Sequence, residues 1–90
     1  MNLTIKILAI GEPKTLLSDT RKKLEQFFKM NQWVKEADVR LTYGHGIDGN
    51  KVCELYLKTD DKNIFTIERA ANFDEAVNKA LKKMSRIEDL

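Results

Sequence analysis

A 90-residue chain that is 42% hydrophobic and 33% charged has enough apolar content for one core, too little length for two, and lies outside the disordered class. Sixteen Lys and Arg against 14 Asp and Glu leave a net charge of +2, so nucleic-acid binding requires a local basic face rather than overall charge. Cys53 is the only cysteine, which excludes an intramolecular disulfide and fits a reduced, cytoplasmic setting.

Residues 3 to 10 begin with alternation, Leu3, Ile5 and Ile7 against Thr4 and Lys6, which predicts a strand. With Lys6 inside its apolar run, this stretch reads as neither a signal peptide nor a membrane span. Gly11 ends it and Glu12-Pro13 turns the chain toward a helix. From about Thr15 to Met30 the period changes: Leu17, Thr20, Leu24, Phe27 and Phe28 fall at helical spacing, with Arg21, Lys22, Lys23, Glu25 and Lys29 on the other faces. Asn31-Gln32 breaks the pattern, and Trp33 and Val34 pack near the helix exit. A second strand follows, with Ala37, Val39, Leu41 and Tyr43 on one face and Asp38, Arg40 and Thr42 on the other. Residues 44 to 50, with three of the four glycines, form a turn.

Residues 51 to 58 predict a third strand with Cys53, Leu55 and Leu57 on one face, and residues 59 to 63 a polar hairpin loop. Residues 64 to 70 predict a fourth strand whose inward face the pattern leaves open. Phe65 and Ile67 are more apolar than Thr66 and Glu68, yet Ile64 belongs with the latter pair. The last helix has Asn72 as N-cap and Glu75 at the capping-box position. Phe73, Ala76, Val77, Ala80, Leu81, Met84 and Ile87 then form one apolar stripe.

The order is β-α-β-β-β-α over a single domain, residues 1 to 90. The first two strands are expected to be parallel across a right-handed helical crossover and the others antiparallel. Each helix has one apolar stripe, so both are expected on the same face of a four-stranded mixed sheet, an α+β fold.

A search for chemistry finds little. His45 is the only histidine and sits in the glycine-rich turn with no cysteine or histidine at metal-ligand spacing, so it reads as a loop residue. Cys53 lies on a core-facing strand position and reads as a small apolar side chain, not a nucleophile. Gly44-His45-Gly46 lacks the Gly-Lys-Ser/Thr and the helix of a phosphate loop. Asp60-Asp61 reads as ordinary loop solvation rather than a cation site. These readings predict no enzyme, no metal, no cofactor and no small-molecule substrate.

The cationic side chains say more. Lys79, Lys82, Lys83 and Arg86 fall at i, i+3, i+4 and i+7, opposite the apolar stripe of the last helix, while Lys22 and Lys23 stand with Arg21 and Lys29 on the exposed side of the first. If the helices lie side by side these groups merge into one basic surface that can hold a phosphate backbone without reading bases. Charged outer faces are also what any two-layer domain presents to water, and acidic Asp74, Glu75, Glu88 and Asp89 bracket the second helix. On the sheet, Val52 and Tyr56 point away from Leu55 and Leu57. With Phe65 and Ile67 they would make an open apolar face suited to a protein partner or a homodimer through the sheet. A one-residue slip in register exchanges the faces.

Two stretches resemble the ribosome hibernation-promoting factor and ribosome-associated inhibitor family. Lys22-Lys23-Leu24-Glu25-Gln26-Phe27-Phe28 is similar to that family's Lys-Leu-Glu-aromatic-Phe ending of the first helix. Asn72-Phe73-Asp74-Glu75-Ala76-Val77-Asn78, followed by Lys83 and Arg86, resembles its entry into the second helix. The element order fits over essentially the whole chain. The resemblance implies a double-stranded-RNA-binding-domain-like fold. It also implies docking on ribosomal RNA of the small subunit, in the messenger and transfer RNA channel, to silence idle ribosomes under stress. Lys23, Lys83 and Arg86 match basic motif positions, whereas Lys22, Lys79 and Lys82 come from the stripe argument. Where the family continues with a strongly basic tail, this sequence ends Ile87-Glu88-Asp89-Leu90, and its first helix is shorter. Both departures are what the resemblance leads one to expect of a diverged relative that lacks the tail.

Overall fold

Period-two alternation sets the sheet. In β1 (Asn2–Ile7), Leu3, Ile5 and Ile7 are half-buried between exposed polar neighbours, and β2 (Glu36–Tyr43) buries Ala37, Val39 and Leu41. In β3 (Lys51–Lys58), Cys53, Leu55 and Leu57 are buried on the same side. β4 (Asn63–Ala70) completes the sheet, α1 (Thr15–Met30) connects β1 to β2, and α2 (Phe73–Ser85) follows β4. The structure, a computed structural model, describes residues 2–44 and 50–85. His45 and most of the expected glycine turn lie outside that range, as do Arg86 and Ile87.

The strands stand in the order β1-β2-β3-β4. β1 and β2 are parallel, with Leu3, Ile5 and Ile7 beside Ala37, Val39 and Leu41, and the other two pairings are antiparallel. Both helices pack on the odd-numbered side of β1–β3, giving the α+β fold expected from the pattern. α1 contributes Leu24, Phe27 and Phe28 to the core, and α2 contributes Phe73, Ala76, Val77, Ala80 and Met84. Cys53 is part of that core, and burial pushes its thiol up to about 12.

Pairing with β3 decides the face that hydropathy leaves open in β4. Leu57 stands opposite Ile64 and Leu55 opposite Thr66, so Ile64, Thr66 and Ala70 face the helices while Phe65 and Ile67 face away. Buried Thr66 satisfies its hydroxyl by donating to Glu68 Oε2 at 2.7 Å.

The helix ends follow their local chemistry. Asn72 Oδ1 accepts from the Glu75 backbone N–H at 2.8 Å, which is the N-cap half of the expected capping box. Asn31 closes α1 by donating its side-chain amide to Phe27 O at 2.8 Å while accepting from Trp33 Nε1 at 3.2 Å. One stripe assignment shifts: Leu17 is 42% exposed, and its neighbour Leu16 packs against the core. With Thr20 and Leu24 fixing the inward direction, Leu16 lies on that side and Leu17 is rotated off it by about 100°. Gly11 has φ +92°, a left-handed conformation that favours glycine, and turns the chain out of β1. At Gly44 a Cβ would lie 2.9 Å from Asn50 O, which accepts the Gly44 N–H at 2.6 Å.

Candidate nucleic-acid interface

The helical layer carries the cations that the sequence singles out. On α2, Lys82, Lys79 and Lys83 fall within a wedge about 100° wide on the side away from the sheet. Lys79 Nζ donates to Arg69 O at 3.0 Å and Lys83 Nζ lies 3.4 Å from Glu68 Oε2, so both lean toward β4. Lys83 remains 64% exposed, and a contact of that kind contributes little in water. The Lys82 ammonium makes no hydrogen bond or ion pair among the described residues, and that of Lys22, on the crest of α1, makes none either. Lys23 is placed differently. It bridges the two helices, 2.6 Å from Asp74 Oδ1 and 2.7 Å from Asn78 Oδ1. The contact shows that α1 and α2 lie side by side, as the merged surface requires. It also ties the Lys23 ammonium to a carboxylate, so Lys23 acts first as an interhelical clamp.

Glu68 is held below the usual carboxylate range by the Thr66 hydroxyl, with Lys83 and Lys79 adding to the effect and burial opposing it. It therefore stays ionised beneath the lysines and screens part of their charge. The layer is a convex array of exposed ammonium groups. It suits phosphate contacts and has no fixed donor–acceptor pattern for reading bases.

Among the described residues, no helix covers the opposite face of the sheet. Tyr56 and Phe65 stack there with ring centroids 4.2 Å apart, at 44% and 46% exposure, and Ile67 is 44% exposed. Val52, expected to share that surface, is 6% exposed. It stands beside Arg69 in the register and packs close to Gly44, the missing side chain of which leaves room for both, so it forms floor rather than surface.

Two features of the sheet are not visible in the sequence. Asp38 stands in one row with Thr4, Tyr56 and Phe65 across the open face, and its Oδ1 is buried without a hydrogen-bond partner. Only the register shows that this outward carboxylate of β2 lies beside an aromatic ring. The second is a clasp at the end of the sheet. The single Tyr43 hydroxyl proton is shared between Ile10 O and Glu12 Oε2, each 2.8 Å away, while Lys51 sits 4.5 Å above the Tyr43 ring and 3.8 Å from Glu12. The hydrogen bond with Glu12 raises the Tyr43 pKa. Among the described residues, no group of three or more His, Cys, Asp or Glu side chains is arranged to hold a metal ion. No described helix is long and apolar enough to cross a membrane.

This architecture recurs among solved structures. A ribosomal subunit interface protein from Coxiella burnetii matches with a TM-score of 0.79 at 13% identity, covering 100% of both chains. The N-terminal domain of Thermus thermophilus Protein Y matches with a TM-score of 0.72 at 16% identity, over 93% of this chain and 91% of that one. The chain has the Protein Y-type fold. No protein-family model matches the sequence, and no curated protein does. The same fold is thus built here from a largely different set of residues, which cores allow when volume and patterning are alike. Its β-α-β-β-β-α order is what sets the two helices side by side and leaves the other sheet face open.

Proposed function

We propose that this protein is a cytoplasmic translation inhibitor that binds the small ribosomal subunit through the outer side of its helical layer. There it contacts ribosomal RNA and, under stress, occupies the channel used by messenger and transfer RNA. Binding is electrostatic and steric and needs no turnover or cofactor. The observation that carries this reading is the collection of exposed Lys22, Lys79, Lys82 and Lys83 on one helical layer, in a fold shared with a ribosomal subunit interface protein. Arg86 extends the same stripe in sequence and is proposed as a further phosphate contact. Lys23 reaches phosphate only by leaving Asp74, so it contributes less than its position in the motif implies.

The test is co-sedimentation with bacterial ribosomes over a salt series. Pelleting with the small subunit that weakens steeply with salt supports the proposal, because displaced counterions give a log–log slope of roughly one unit per phosphate contact. Failure to pellet at low salt overturns it. The remaining reading would then be association through the open sheet face, favoured by the exposure of Tyr56, Phe65 and Ile67.

A further inference from the structure

We propose that the groove on the open sheet face, between Asp38 and Tyr56, is a binding site for an arginine side chain of a protein partner. This site is separate from the helical layer and does not depend on the ribosome reading. The groove has a volume of about 470 Å³, and Glu36, Asp38, Tyr56, Lys58 and Phe65 are among its lining residues.

Three observations select the occupant. First, Asp38 Oδ1 is the one side-chain oxygen or nitrogen among the described residues that is buried and lacks a partner. A carboxylate oxygen in that state lacks a donor, and the soft χ2 torsion of Asp lets a small rotation present either oxygen to the groove. Second, the register places Tyr56 between Asp38 on β2 and Phe65 on β4. One face of the Tyr56 ring is stacked on Phe65 at 4.2 Å, leaving the opposite face toward the Asp38 side. A planar cation lying there meets a ring face and a carboxylate together. Guanidinium fits that demand better than ammonium because it is flat, stacks on rings and presents paired N–H donors. Third, the groove's charges are two carboxylates, Glu36 and Asp38, against the one ammonium of Lys58, a balance that attracts a cation and repels a phosphate.

The size of the patch argues against a second copy of this chain. Tyr56, Phe65 and Ile67, each somewhat under half exposed, together offer on the order of 300 Å². A stable dimer needs about 800 Å² from each partner. The patch suits one side chain on a passing segment.

The experiment is a titration of the full chain with the peptide acetyl-Gly-Arg-Gly-amide, followed by amide shifts in two-dimensional NMR. The lysine analogue, guanosine monophosphate and a protein dilution series serve as comparators. The arginine peptide is expected to move the amides of residues 38, 56 and 65 with a dissociation constant on the order of 1 mM, and the lysine analogue to bind several-fold more weakly. Asp38→Asn and Phe65→Ala, each checked for a dispersed spectrum, are expected to weaken the arginine peptide roughly tenfold; Lys82→Gln, on the opposite layer, leaves it unchanged. The proposal is overturned if the arginine peptide leaves these amides in place, or if guanosine monophosphate binds there more tightly. It is also overturned if dilution alone moves the same amides, which would reveal self-association.

Discussion

The two faces of this protein are both charged but are built for different kinds of contact. On the helical layer, the ammonium groups of Lys22 and Lys82 stand without partners among the described residues, and Lys79 and Lys83 touch β4 through single long-stemmed contacts. Such a surface fixes the sign of the potential but not the position of any donor. On the sheet face, Asp38, Tyr56 and Phe65 are held on adjacent strands by backbone pairing, and the rings are stacked. That surface fixes positions but carries little net charge. The contrast shows how one thin domain can present a salt-sensitive, shape-tolerant face and a shape-demanding face back to back.

The sharpest way to break the comparison is to remove what both faces share. Leu55 lies in the core between them, so Leu55→Ala is expected to cost about 2–5 kcal/mol in urea unfolding and to lose both activities together. A cost well under 1 kcal/mol would show that the layers do not depend on one core. Replacing Lys22, Lys79, Lys82 and Lys83 by Gln separates the faces instead. Ribosome affinity should fall about 10³-fold with little change in melting temperature, while arginine-peptide binding persists. Loss of both activities in this variant would contradict the separation.

Smaller effects test the supports of the helical layer. Asn72→Ala removes the α2 cap and should cost about 1 kcal/mol, read by thermal denaturation. The smallest concerns Glu68. Its folded pKa is lowered, mainly by Thr66, so the stability it contributes is present above the unfolded carboxylate pKa and is lost as pH falls through the folded value. Thr66→Val weakens that dependence, so the stability gap between wild type and variant should narrow on acidification. A gap that stays constant from about pH 7 to about pH 3 would remove Glu68 from the account.

The elements themselves were legible because periodicity reports burial directly. α1 runs over the predicted span and β3 over 51 to 58, and Asn72 caps α2 as its side-chain chemistry requires. What could not be read was set by pairing between distant segments. Hydropathy favours Phe65 and Ile67 over Thr66, yet β3 turns Thr66 inward. Val52 matches Tyr56 in parity, but Arg69 and the space at Gly44 cover it. Lys23 looked equivalent to Lys22 until the helix packing set it against Asp74. Asp38 was an ordinary polar strand residue until its neighbour across the register was known to be Tyr56.

The buried Cys53 gives the molecule an internal gauge. With its thiol enclosed in the core and pushed up to about 12, a thiol reagent reacts with it only when the structure opens. The chain has no other cysteine, so the labelling rate reports the openings that expose this one core position between sheet and helices. Any ligand that binds only the closed form slows labelling by the factor 1 + [L]/Kd, about a hundredfold at a hundred times Kd. A ribosome on one face and an arginine-bearing partner on the other would each register on this clock without any change to the sequence.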